Sequence, residues 1–184
     1  MDRNDISIVT LNGKSPKIHD SAFIAPGCRI IGDVEIGPHA SIWYNCVIRA
    51  DVNFIRIGAR TNIQDGTVVH CDSPKEGRPG GYPTIIGDDV LIGHLAMVHG
   101  CTLADRAFIG LGSIIMDGCI VENDGMLAAG AMLTSGKTIG AGELWAGRPA
   151  TKMRDLTEQA KAGMQGGVAH YVKNAQAHKA ANGG

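Results

Sequence analysis

The feature of this chain that most narrows its fold is a six-residue period in its aliphatic residues. Ile24, Ile30, Ile36, Ile42 and Ile48 are spaced by six without exception. After a slip of three residues come Ile57, Ile63 and Val69, and beyond a gap Ile86, Ile92 and Val98. One shortened step leads to Leu103, Ile109, Ile115, Val121, Leu127, Leu133 and Ile139. A helix repeats its face about every 3.6 residues and a strand every second residue, so this period suits neither a long helix nor a hairpin array. It suits a β-solenoid, in which each hexad supplies one short strand and a turn and stacks on a hexad of the next coil.

Four residues after most of these aliphatics sits a small or β-branched residue, such as Cys28, Ala40, Cys46, Thr61, Ala96 or Ser113. One residue after them sits glycine at 37, 58, 87, 93 and 110. The aliphatic is expected to point inward and the small residue to fit a corner, with glycine admitting a positive φ there. Three hexads would close a triangular coil of about 18 residues, giving about six or seven coils over residues 24–139 at an inter-strand spacing near 4.8 Å. Cys28, Cys46 and Cys119 read as small core corners.

Composition agrees with a narrow, regularly stacked core: of 184 residues 26 are glycine and only 4% are aromatic. The 17 Lys and Arg nearly balance 18 Asp and Glu, which argues against a nucleic-acid partner. No window reaches the roughly 18 apolar residues of a membrane span. Met1–Thr10 has no signal-peptide core, and the five cysteines form no CxxC, so reduced thiols in a cytoplasm are expected.

Two segments leave the period. Residues 71–84, CDSPKEGRPGGYPT, are expected to protrude as a loop. The solenoid is expected over 1–149 and a helix with a tail over 150–184. The helix would begin at Asp155 or Thr157 and run to about Ala180, with Met164, Val168, Tyr171, Val172 and Ala175 on one side and a frayed AANGG end.

Chemistry concentrates around the loop. His70 follows Val69 by one and His99 follows Val98 by one, so they share a phase on adjacent coils. His94 follows Ile92 by two and has the opposite parity to His99, so one strand could not aim both at one ion; a corner or a second subunit could. Three neutral imidazoles with a fourth position open are the ligand set of a catalytic zinc, whereas the plainer reading is three ordinary hydrogen-bonded histidines. Arg49 shares the phase of His70 and is expected beneath it, with Asp51, Asn62, Gln64 and Asp65 adding polar groups nearby.

The strings VIRADVNFIRIGARTNIQDGTVVH, IGDDVLIGHLAMVHGC and GLGSIIMDG resemble the γ-class carbonic anhydrase family, over roughly residues 15–155. That resemblance implies a left-handed parallel β-helix of hexapeptide repeats with a C-terminal α-helix. It implies a homotrimer with zinc at the subunit interfaces, held by His70 and His99 of one chain and His94 of its neighbour. Fe²⁺ or Co²⁺ would also suit three histidines. Arg49 and Asp65 would form an intersubunit ion pair, and the family pattern also falls on Asp51 and Asn62. Gln64 would orient the metal-bound water, and Tyr171 in HYVK would approach the pocket. The implied reaction is zinc-hydroxide hydration of CO₂ to bicarbonate. Two departures weaken the implied activity: Val52 stands where the best-studied members carry an acid, and the loop mixes Asp72 and Glu76 with Lys75 and Arg78, leaving Glu76 as the substitute proton shuttle. The competing readings are a metal-dependent thioesterase or acyl hydrolase, a hexapeptide acyltransferase, and an inactive structural trimer subunit.

Overall fold

The computed structural model describes residues 5–181. The chain winds into about eight turns of left-handed parallel β-helix, followed by one helix. Most strands of the solenoid are two or three residues long because the coil must turn after each hexad. Three faces result. The first stacks Val47–Ile57, Val68–His70, Met97–His99, Ile114–Ile115 and Met132–Leu133. The second stacks Thr84–Ile86, Thr102–Leu103, Ile120–Val121 and Thr138–Ile139. The third stacks Phe23–Ile24, Ser41–Ile42, Asn62–Ile63, Leu91–Ile92, Phe108–Ile109 and Met126–Leu127. The long strands Arg29–Ile36 and Val47–Ile57 run around the corner between the first two faces.

The phased aliphatics form the core. All but Ile24, which is half-buried, are buried, and they pair rung on rung: Ile63 with Ile92, Ile92 with Ile109, Ile109 with Leu127. The stack is longer than the period implied. Ser7–Val9 and Lys17–Ile18 pair in parallel with Arg29–Ile36 below, and Glu143–Gly147 stacks on Met126–Leu127 above. The three-residue slip after Ile48 is a register shift opposite Gly32 and Val34.

The glycine expectation needs correcting. Positive φ falls three residues after the inward aliphatic, at Gly66, Gly112, Gly118, His39, Arg60 and Leu95 among others, not one residue after. The glycines one residue after serve close approach instead: a Cβ on Gly58 would lie 2.4 Å from the carbonyl carbon of Gly87, and one on Gly110 would lie 2.2 Å from the amide nitrogen of Ala129. All five cysteines are free and buried.

Residues 71–84 are more ordered than a plain loop. Asp72 pairs with Tyr82 and Lys75 with Arg78 as antiparallel bridges. Asp72 accepts from Arg78 at 2.8 Å and faces Lys75 at 3.1 Å, the Arg78 guanidinium lies 3.8 Å over the Tyr82 ring, and Asn53 Nδ2 donates to the carbonyls of Asp72 and Gly80. An antiparallel pair that the hexad period did not reveal, Glu143–Gly147 with Ala150–Asp155, closes the top of the solenoid. Thr157 caps the helix, its Oγ1 accepting from the Ala160 amide, so α1 runs Glu158–Ala181. It lies across the third face, with Met164, Val168 and Ala175 buried. Ala180 and Ala181 close the helix, and the remainder of the expected frayed end lies outside the described residues.

Candidate metal centre

Parallel stacking brings the first group of candidates together. Arg49, His70 and His99 occupy consecutive rungs of the first face, in register. His70 Nδ1 and His99 Nε2 are 2.9 Å apart. The outer nitrogens are each taken by a carboxylate: His70 Nε2 by Asp51 at 2.8 Å and His99 Nδ1 by Asp117 at 2.5 Å. Asp51 also pairs with the Arg49 guanidinium. Burial opposes ionisation of Asp51, but His70 and Arg49 outweigh it and hold its carboxyl below the usual range.

His94 lies at the other end of the same face, on the corner between Leu91–Ile92 and Met97–His99. Its Nδ1 pairs with Asp65 at 2.8 Å, and Asp65 also accepts the Tyr44 amide. Leu95, next in the chain, adopts a left-handed φ of 57° and is 72% exposed. Among the described residues of one chain, no three His, Cys, Asp or Glu side chains converge on a single ion.

Gln64 and Asn62 are buried, Asn62 on a strand that α1 packs against. Gln64 Nε2 donates to Asn62 Oδ1 at 3.0 Å, and Asn62 Nδ2 has no partner among the described residues. The Tyr171 ring packs edge-on against Trp43 at 5.3 Å; burial pushes its phenol above the ordinary value, and the Asp65 carboxylate adds to this. Glu76 is exposed at the tip of the loop hairpin and makes no hydrogen bond or ion pair among the described residues. Val52 is an exposed apolar side chain.

Two observations bear on whether the histidines could hold a metal ion. All three have one ring nitrogen on a carboxylate, the arrangement that orients an imidazole so that its other nitrogen faces a metal. The row Asp51, His70, His99, Asp117 contains three contacts that each need one proton, and two neutral imidazoles hold only two. The third contact has to be completed by a further proton or by a cation. A tetrahedral zinc separates its ligand nitrogens by roughly 3.3 Å, so the 2.9 Å gap needs to open only slightly. The sequence reading missed Asp117. It stands 18 residues after His99, one coil above, and that spacing was the available signal.

Comparisons with known proteins bear on the fold and the family. The family model for the bacterial transferase hexapeptide (six repeats) matches residues 15–50. Gamma carbonic anhydrase 1, mitochondrial, of Arabidopsis thaliana is 45% identical over 96% of this chain, which spans 64% of that relative's length. A carbonic anhydrase of Geobacillus kaustophilus is 41% identical over 94% of this chain and 91% of its own. The crystal structure of a hexapeptide transferase family protein from Anaplasma phagocytophilum superposes with a TM-score of 0.86 at 46% identity, covering 93% and 97% of the two chains. Identity of 41–45% over nearly the whole chain places it in the γ-carbonic anhydrase family.

Proposed function

We propose that this chain is a metal-dependent carbonic anhydrase that hydrates CO₂ to bicarbonate at sites formed between the subunits of a homotrimer. The observation that carries the reading is the set of three imidazoles, each held by a carboxylate on one nitrogen, with His94 at one end of a face and His70 and His99 at the other. Cyclic symmetry brings the His94 corner of one chain against the His70 and His99 corner of the next, giving three equivalent sites.

The surface supports that assembly. The outward column of the first face is apolar from Val47 through Val68, Met97, Ile114 to Met132. Leu95 and Leu111, the latter 59% exposed, flank His94. A bulky apolar residue in a left-handed turn and open to water is costly in a lone chain, and burial against a second copy offsets that cost. In the trimer Arg49 of one chain would face Asp65 of the next.

Zinc is the proposed ion; bound by three neutral imidazoles, it supplies a water that ionises near neutral pH. The chain's own residues orient and exclude. Gln64, whose amide donates to Asn62, would orient the water that the metal supplies. Tyr171, packed edge-on against Trp43, would stand on the α1 side of the pocket. Proton export is the weak point: Val52 is apolar, Asp72 is tied to Lys75 and Arg78, and Glu76 is left as the exposed acceptor. A modest turnover is expected, limited by proton transfer.

Stopped-flow CO₂ hydration on protein of measured zinc content tests the reading. Hydration should rise in proportion to zinc and disappear in His99→Ala. Zinc-loaded protein no faster than buffer would refute it, and turnover of a thioester by that same protein would move the assignment to an acyl hydrolase.

A further inference from the structure

Asp117 enters the site from a coil that no histidine occupies. Its Oδ1 is 2.5 Å from His99 Nδ1, and among the described residues no lysine or arginine is paired with it. The backbone has been cleared for this contact. Gly100, directly after His99, has a positive φ of 50°, and a Cβ there would lie 2.3 Å from Asp117 Oδ1. Asp117 itself is anchored from above, where the Gly136 amide donates to its carbonyl at 3.0 Å, and Gly118 packs against the Tyr82 ring at the base of the loop hairpin. The carboxylate is thus placed by two turns of the solenoid and aimed at one ring nitrogen.

We infer that Asp117 is a positioning residue: it holds the proton of His99 on Nδ1 and turns Nε2 toward His70, so that the pair accepts a metal ion with only a slight opening of the gap between them. This rests on the metal reading above. A carboxylate behind a ligating imidazole fixes the tautomer and the ring orientation and raises the basicity of the other nitrogen. Asp51 does the same for His70 from the coil below, so the two rings are clamped between carboxylates at opposite ends of a four-residue row.

The test is zinc affinity of the full-length protein by competition with a chromophoric chelator, for wild type, Asp117→Ala and Asp117→Asn. Asp117→Ala should bind zinc about 10–100-fold more weakly. Asp117→Asn, whose amide oxygen still accepts the Nδ1 proton but carries no charge, should lose less than the alanine variant but more than about threefold. In metal-free protein, ¹⁵N shifts of the His99 ring should show Nδ1 protonated in wild type and less so in Asp117→Ala, a readout that a purely structural role would not move. If the alanine variant does not fold, Asp117→Asn decides alone: weaker zinc binding at an unchanged unfolding midpoint supports the inference. Zinc affinity within about twofold of wild type in either folded variant, or an unchanged His99 tautomer in Asp117→Ala, would overturn it. A wild-type chain that takes up no zinc would instead refute the metal reading, so the two failures are distinguishable.

Discussion

Ile109→Ala tests whether the stacked aliphatics are a rigid core. Ile109 is fully buried between Ile92 below and Leu127 above, both also fully buried. The substitution removes three carbons, a transfer loss of roughly 2.4 kcal/mol at about 0.8 kcal/mol each. The hole cannot close by collapse. The Gly93 amide donates to the Ile109 carbonyl and the Gly110 amide to the Leu127 carbonyl, both at 2.8 Å, so the coil spacing is set by the backbone. If roughly 40 Å³ stays open, the cavity adds about 1 kcal/mol. The total is about 3–4 kcal/mol, or roughly 6–16 °C in melting temperature for a chain of this length. Urea unfolding at fixed protomer concentration should show a lower midpoint with an unchanged slope, and Ile109→Val should cost only about 0.5–1.5 kcal/mol. A cost below about 1 kcal/mol for the alanine variant would mean the ladder relaxes, and the argument for rigid stacking would fail.

Other substitutions probe the turns, the helix and the top of the solenoid. Gly58→Ala should destabilise by about 1–3 kcal/mol or more, because its methyl meets Gly87 backbone atoms at 2.4 Å; chemical unfolding measures it, and a neutral result would contradict the close-approach role. Gly163→Ala and Gly166→Ala face open space inside α1 and should each stabilise by about 0.5–1 kcal/mol in the same assay, whereas a loss would show that the helix needs those glycines. Glu143 accepts from Lys152, the Trp145 indole and the Gly140 amide, which hold its carboxyl at about 2, well below the usual value of 4.5. A depressed carboxyl contributes stability above its unfolded pKa and loses it as pH falls toward the folded one. The melting-temperature gap between wild type and Glu143→Gln should therefore narrow from pH 4.5 down toward pH 2, and a gap independent of pH would contradict the assignment.

The fold was legible because a solenoid writes its geometry into the chain at fixed spacing. Ile30 to Ile48, and Leu103 to Ile139, are one inward column each hexad, and His70 and His99 fell on one face because each follows an inward valine by one. What stayed hidden does not repeat. The hairpin of Glu143–Gly147 with Ala150–Asp155 carries no hexad, and the ordering of residues 71–84 depends on Asn53, from a different strand. Glycine was legible as necessary but its reason was not, since a close approach between coils and a positive φ both select it. The Asp65–His94 pair depends on how a corner is shaped around Leu95, which phase alone does not fix.

The central claim is that the metal ligands are shared between chains, and mixing two defective chains tests it most directly. Neither a His94→Ala homotrimer nor a His70→Ala homotrimer has a complete site. In a mixed trimer of either composition, one interface joins the intact His94 of one chain to the intact His70 and His99 of the other. Random co-refolding of equal amounts should therefore restore about a quarter of the wild-type zinc content and activity. Verified mixed trimers that recover neither zinc nor activity would contradict the shared site.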